Sequence, residues 1–241
     1  MTLPQFLPAN LHINLPSRDS LHGRAKGESM KLVVFDNDGT LYDDNIVGSR
    51  FGEICERYVV ARFGVSPDEG EARQFLKELK QKWQTPFSVI ALNREFEVDF
   101  EEIVEATYLQ IDLTACRIRK DSAKLETLKA VPHTKVVLTN NPMAHARRVL
   151  RHIGLEDCFK RVVGMENLIP HLKPDPEAYR VVETMYPNHE YIFIDDSITN
   201  LDAARECDWK TIWYREITGL GLKNCDHATA NNFNKLPDLI G

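Results

Sequence analysis

The 241-residue chain carries 36 acidic against 30 basic side chains, a net charge of −6, with 43% hydrophobic and 27% charged residues. A chain of this length can bury a sizeable core, so one α/β domain with an insertion, or two modest domains, would fit. The acidic balance offers no broad basic field for nucleic acid or an anionic membrane. The scattered Cys55, Cys116, Cys158, Cys207 and Cys225 form no Cys-x-x-Cys pair, and no apolar run approaches a membrane span, so free thiols in a reducing cytoplasm are expected.

Residues 1–29 hold three prolines and no helical or strand period, and read as a poorly ordered extension. Met1 and Met30 are both open as the native start, Met30 because Gly27-Glu28 could be coded by a purine-rich ribosome-binding sequence just upstream. Mass spectrometry of the natively expressed protein, finding an intact Met1 terminus, would exclude the Met30 start. Lys31-Leu32-Val33-Val34-Phe35 then reads as a strand covered on both faces, and it ends in Asp36-Asn37-Asp38-Gly39-Thr40-Leu41-Tyr42. Asp36 and Asp38 are two residues apart. On an extended chain they point to one side of the strand's carboxyl end, where open α/β sheets bind ligands. Gly39 permits a tight turn and close backbone approach to a ligand, and Thr40 can hydrogen-bond the turn. Two acids on so small a surface repel unless a cation or shared proton lies between them, so the stretch reads as a divalent-cation and phosphate site.

From there the pattern is helical for about seventy residues. Ile46, Val47, Ile54, Tyr58 and Ala61 keep helical intervals up to Gly64, and Ser66-Pro67-Asp68-Glu69 reads as a capping box opening a helix to about Trp83. Thr85-Pro86 opens a shorter helix, and Asp99 with Glu102 forms another box, with Val98 and Ile103 as its hydrophobic staple. A small all-helical unit inserted beside the carboxylates can close over them as a lid. Its aromatics Phe51, Tyr58, Trp83 and Phe87 read as packing residues, of which one or two can face a substrate.

At Asp121 or Ser122 a helix begins, and strands and helices then alternate. Strands are expected at Lys135–Thr139, Arg161–Gly164, Tyr191–Asp196 and Thr211–Tyr214, and helices after Asn140-Asn141-Pro142, at Asp175-Pro176 and from about Ile198 to Cys207. This succession predicts a doubly wound parallel sheet with right-handed crossovers. The last residues, with Asn231-Asn232 and Leu236-Pro237, read as a surface tail around a short helical turn.

Three further places fall at the same sheet edge. Thr139 offers a hydroxyl at a strand end, with Asn140 and Asn141 adding backbone N–H donors. Lys173 lies in a loop stiffened by Pro174 and Pro176. Asp195 and Asp196 end a buried strand and need a cation or donors, and Asn200 in the next helix can bond either acid. Other signals carry less. Gly219-Leu220-Gly221 lacks a third spaced glycine, the histidines form no ligand pair and read as solvated or core, and Arg147 with Arg151 reads as a solvated helix face.

Together these positions resemble the haloacid dehalogenase superfamily. Asp36-x-Asp38-Gly39-Thr40 is similar to its motif one, Thr139 to motif two, Lys173 to motif three, and Asp195-Asp196 with Asn200 to motif four, over residues 31 to about 215. The resemblance implies a Rossmann-like core over 30–43 and 117–241 and a helical cap over 44–116. It implies Asp36 as the nucleophile forming an aspartyl-phosphate, Asp38 as general acid and then base, and Asp36, Thr139, Asn140 and Lys173 as the phosphate-binding set. Mg²⁺ would be held by the Asp36 carboxylate, the Asp38 backbone carbonyl and Asp196, with Asp195 acting through water. The Leu41-Tyr42 ending and the helical insertion resemble pyrimidine 5′-nucleotidases, although Gly39 stands where many of those have asparagine. The expected activity is therefore hydrolysis of a small soluble phosphate monoester such as a pyrimidine nucleoside 5′-monophosphate. A sugar-phosphate or phosphoglycolate phosphatase and a β-phosphoglucomutase-like mutase are the alternatives. An inactive binding module is disfavoured because all four motifs are intact, and a dehalogenase because Asp38 is present. No nucleic-acid or membrane partner is expected, and monomer and homodimer are both open.

Overall fold

The computed structural model describes residues 30–68, 70–215 and 226–241. The expected extension over 1–29, Glu69, Gly219-Leu220-Gly221 and Cys225 lie outside them. Alternation along the first strand sets the layers. In β1 (Met30–Phe35), Leu32 and Val34 face one apolar cluster, with Tyr179, Val182, Leu201 and Trp209, while Val33 and Phe35 face another, with Leu128, Ala146, Val149 and Leu150. All four strand residues are fully buried, each contributing about 1.5–3 kcal/mol of apolar burial.

Strand β1 sits between β2 (Thr134–Leu138) and β4 (His189–Asp195) in a six-stranded sheet of order β3-β2-β1-β4-β5-β6, in which every pairing is parallel. The other strands are β3 (Arg161–Val163), β5 (Lys210–Tyr214) and β6 (Ala228–Ala230). Because the strands run the same way, the carboxyl ends of β1, β2 and β4 lie side by side. Asp36 N–H to Ile194 O (2.8 Å) and Thr139 N–H to Val163 O (3.0 Å) extend the ladder to the functional residues.

Between β1 and the next core helix the chain forms α1 (Asn45–Phe63), α2 (Glu71–Lys82), α3 (Ser88–Phe96) and α4 (Phe100–Ala106). Helix α1 stops where Gly64 takes the left-handed conformation, φ 66°, and its N–H returns to Val60 O. The expected Ser66–Glu69 capping box falls in part on Glu69, outside the described residues; Ser66 Oγ accepts the Asp68 N–H (3.1 Å), and α2 starts later than expected, after Gly70. Asp99 caps α4 through the N–H groups of Glu101 and Glu102, but Glu102 does not close the box and pairs with Arg62 of α1 at 3.1 Å. Val98 and Ile103 are both buried, and the Phe63 and Phe96 rings stack at 4.1 Å. Among the described residues no helix is long and apolar enough to cross a membrane.

The core continues through α5 (Ser122–Ala130), α6 (Met143–Ile153), α7 (Met165–Leu168), α8 (Pro176–Met185) and α9 (Ile198–Glu206). Asp121, Asp175 and Ser197 each accept backbone N–H bonds as N-caps of α5, α8 and α9. The carboxyl terminus is not a surface tail. After β6, Phe233, Leu236 and Ile240 are buried, the last two in α10 (Leu236–Ile240). The Phe233 ring stacks on Phe35 at 6.1 Å, and Lys31 Nζ donates to Ile240 O at 2.8 Å. Spacings of three and four residues give these side chains one helical face, and the open edge of β5 gives β6 its partner.

Candidate active site

The turn after β1 is shaped by its surroundings. Leu41 N–H closes it onto Asn37 O at 2.9 Å, and Gly39 lies at φ +72°. A Cβ on Gly39 would stand 2.5 Å from Asp196 Oδ2, so the glycine answers both a left-handed backbone and a close approach. Thr40 does not hydrogen-bond the turn; its hydroxyl is buried without a partner among the described residues.

At the centre, Lys173 Nζ donates to Asp36 Oδ1 at 2.7 Å and to Asp195 Oδ2 at 3.0 Å, all three side chains being buried. Asp195 is saturated further by the Ser197 N–H (2.7 Å) on Oδ1 and by Asn200 Nδ2 (3.0 Å) on Oδ2. The Lys173 main chain is clasped by the Asn140 amide, whose Oδ1 accepts Lys173 N–H (2.9 Å) and whose Nδ2 donates to Lys173 O (2.8 Å). Asn140 therefore spends its side chain on positioning Lys173, and its own N–H is what it can offer a phosphate. Asp38 takes three donors: the Tyr42 hydroxyl on Oδ1, and Asn141 Nδ2 (2.8 Å) and the Thr139 hydroxyl (3.3 Å) on Oδ2.

The electrostatics follow from crowding. Burial raises the Asp36 carboxyl well above its ordinary range against the pull of Lys173, with Asp195 and Asp38 pushing the same way as burial. Burial also raises Asp38, opposed first by the Tyr42 hydrogen bond. Burial alone would lower Lys173, but the charges of Asp195 and Asp36 outweigh it and hold the ammonium above its ordinary range. Asp196 is exposed as a residue, yet desolvation of its carboxyl and the neighbouring Asp195 push it up to about 6.

Carboxylate oxygens of Asp36, Asp195 and Asp196 lie within 4.8 Å of one another. Three crowded acids, two of them already raised, would be relieved by a cation. An all-oxygen donor set beside a glycine that leaves Asp196 room fits a hard divalent ion such as Mg²⁺ better than zinc.

A cavity of about 280 Å³ connects these groups. Asp36, Asp38, Thr139, Asn140, Lys173 and Asn200 line it from the sheet side, and Val47, Phe51, Phe87 and Tyr108 from the helical insertion. Asp195 and Asp196 adjoin through Lys173 and Gly39. The sequence-predicted residues thus converge on one place. Of the aromatics read as packing, Phe51 and Phe87 reach the cavity; Tyr58 instead meets Phe63 edge-on at 5.8 Å, and Trp83 Nε1 donates to Glu95 at 2.8 Å. Arg151 pairs with Glu156 at 2.9 Å, as a solvated face would. Sequence reading missed the Tyr42 hydroxyl and the Asn141 amide on Asp38, and Asp44, Tyr108 and His145 on the cavity wall. Only the i to i+4 contact of Asp38 and Tyr42 had a local signal.

A doubly wound sheet with acids, a lysine and a threonine gathered at its carboxyl edge defines a class of α/β proteins that hold an anionic ligand beside a cation. A model of the haloacid dehalogenase-like hydrolases matches residues 30–208, and the chain belongs to that family. It is similar to the phosphoglycolate phosphatase of Mannheimia succiniciproducens, at 28% identity over 192 residues, 72% of this chain and 80% of that protein. The phosphoglycolate phosphatase of Psychrobacter arcticus is 25% identical over 211 residues, 76% of this chain and 82% of that one. Among solved structures, a phosphatase of the family from Thermococcus onnurineus superposes with a TM-score of 0.60 at 21% identity, covering 88% of this chain and 98% of that one. A 2-haloacid dehalogenase from Pseudomonas syringae pv. Tomato gives the same TM-score, 0.60, and the same coverage of 88% and 98%, at 20% identity. At such identities the structures speak for the fold alone.

Proposed function

We propose that the protein is a Mg²⁺-dependent phosphomonoesterase acting on a small phosphate ester of the 2-phosphoglycolate kind. The observation that carries the reading is the Lys173 ammonium bridging Asp36 and Asp195 at 2.7 and 3.0 Å, beside Asp38 and Thr139 on one cavity. Lys173 fixes one oxygen of Asp36, so the carboxylate is oriented for in-line attack on phosphorus, giving an aspartyl-phosphate as the alcohol leaves. Asp38, raised by burial, carries the proton that the departing alkoxide needs. It then takes one from the water that hydrolyses the acyl phosphate. Lys173, the Thr139 hydroxyl and the Asn140 N–H neutralise the equatorial oxygens. The Asp36 carboxylate, the Asp38 carbonyl and Asp196 would hold Mg²⁺, with Asp195 behind them, and the ion would supply further charge compensation at the phosphate. The helices over 44–116 serve as a cap, since their side chains wall the cavity and their closure would exclude water and bulky chains.

The names of the relatives favour phosphoglycolate, one of the alternatives weighed from the sequence, over a pyrimidine nucleotide. A cavity of about 280 Å³ also suits a compact substrate. The described cysteines Cys55, Cys116, Cys158 and Cys207 are unpaired, which supports a reducing, cytoplasmic setting. Phosphate release from 2-phosphoglycolate, pyrimidine nucleotides and sugar phosphates, with and without chelator, tests the reading. Chelator-sensitive turnover should be highest for 2-phosphoglycolate and fall at least about 10³-fold in Asp36→Asn. An Asp36→Asn protein with normal turnover would remove the nucleophile from the mechanism, and a nucleotide as best substrate would remove the substrate.

A further inference from the structure

One wall of the cavity carries a polar side chain that the chemistry at phosphorus does not use. His145 lies in the first turn of α6, beside the buried Ala146, Val149, Leu150 and Ile153. Its ring is wholly buried, packs on Tyr108 in a tilted contact at 5.2 Å, and lines the cavity that holds Asp36, Asp38 and Thr139. Neither ring nitrogen has a hydrogen-bond partner of ordinary geometry among the described residues, the Tyr108 main chain lying only near enough to favour the charged ring weakly against burial. Buried unpaired nitrogens are destabilising, and packing alone would favour an apolar ring at this position. Burial and the nearby Arg148 guanidinium push His145 down to about 4, so at neutral pH one nitrogen donates and the other accepts. Arg148 donates its Nη2 to Ile111 O at 2.6 Å, while its buried Nη1 has no partner among the described residues. An acceptor bearing negative charge would therefore meet an unused donor on His145 and positive potential from Arg148. Asp44 also lines the cavity and would repel a second anion placed beside it.

We infer that His145 is a specificity-determining residue that donates a hydrogen bond to a carboxylate at the end of the substrate remote from phosphorus. The inference rests on the phosphatase reading and deepens it, because 2-phosphoglycolate carries such a carboxylate and a nucleoside monophosphate carries none.

The test compares 2-phosphoglycolate with ethylene glycol monophosphate, which has CH₂OH in place of the carboxylate, in wild type, His145→Phe and His145→Gln. Wild type should prefer 2-phosphoglycolate. His145→Phe should lower kcat/KM for it about 10- to 100-fold, chiefly through KM, and leave the neutral ester within about threefold. Its melting temperature should hold or rise, because an unpaired polar ring has gone. His145→Gln, which keeps a donor, should fall between the two, and it supplies the reading if the phenylalanine protein does not fold. Equal losses on both esters, or a wild type indifferent to the carboxylate, would overturn the inference while the phosphatase reading stands. A wild type that hydrolyses the neutral ester but not 2-phosphoglycolate would overturn both the substrate reading and the inference.

Discussion

Replacing Gly39 by alanine is the sharpest probe of how the turn and the acids depend on each other. The added Cβ would stand 2.5 Å from Asp196 Oδ2, 2.7 Å from its Cγ and 2.9 Å from its Oδ1, closer than non-bonded atoms sit. The backbone at φ +72° adds left-handed strain of about 1–2 kcal/mol. Asp196 is exposed and can swing its carboxylate aside, so the clash itself should add little to unfolding. For a chain of this size the strain corresponds to a melting temperature lower by about 2–8 °C. The larger effect falls on the cation. A carboxylate turned out of the cluster is lost as a ligand, and the Mg²⁺ concentration for half-maximal turnover should rise on the order of 10- to 100-fold. Gly52→Ala is the control, since its Cβ meets nothing within 4 Å and α1 gains about 0.5–1 kcal/mol of helix propensity. Mg²⁺ titrations of aryl phosphate hydrolysis, with thermal melts, read both effects. A Gly39→Ala protein with the wild-type Mg²⁺ midpoint would refute the placing of Asp196 in the cation site.

Lys173→Met should destabilise the metal-free protein by about 3–5 kcal/mol in urea unfolding, because it leaves Asp36 and Asp195 buried without their shared partner. Added Mg²⁺ should recover part of that loss, and a cost below about 1 kcal/mol would show that the pair is not held by the ammonium. His145 sets a pH dependence whose sign can be worked out. Its value is 6.5 in the open chain and about 4 when folded, so between those values the unfolded chain binds more protons, and acidification costs stability. The raised carboxyls of Asp36, Asp38 and Asp196 act the other way, gaining stability as pH falls through their folded values toward the unfolded 3.8. The measurable quantity is therefore the stability difference between wild type and His145→Phe, which should move by about 2 kcal/mol in favour of the variant from pH 7 to pH 5. A flat difference curve would mean that the imidazole is not buried neutral.

What could be read in the sequence was what is encoded locally. The apolar run from Leu32 to Phe35 allows a doubly covered strand, and the acids after it, with those at Asp195 and Asp196, fall at one sheet edge once the crossovers are right-handed. Caps at Asp99, Asp121 and Asp175 were legible because each bonds its own following turn. The three-residue β6 was not, since Ala228–Ala230 has no apolar run and is defined by the edge of β5 that it covers. Phe233, Leu236 and Ile240 did carry a helical period, and reading it would have placed the terminus against Phe35. Lys173 shows the limit of local reasoning. A loop lysine is ordinarily solvated, and this one is buried because two acids from separate strands and the Asn140 amide meet around it.

The missed residues share a physical reason. Asn141, Tyr108 and His145 are ordinary in sequence, and their meaning comes from what the fold sets across from them. His145 occupies an apolar stripe on α6, where a lone histidine reads as core; it is core by burial and unlike core in lacking a hydrogen-bond partner of ordinary geometry among the described residues. The same contrast runs through the site, where acids crowd despite repulsion, Thr40 buries a hydroxyl with no partner among the described residues and Gly39 holds a left-handed turn. Each feature destabilises the free protein, and each lies within reach of one strand end. A fold selected for stability alone would relax them independently, so their concentration beside Asp36 argues that a bound anion and cation complete the structure there.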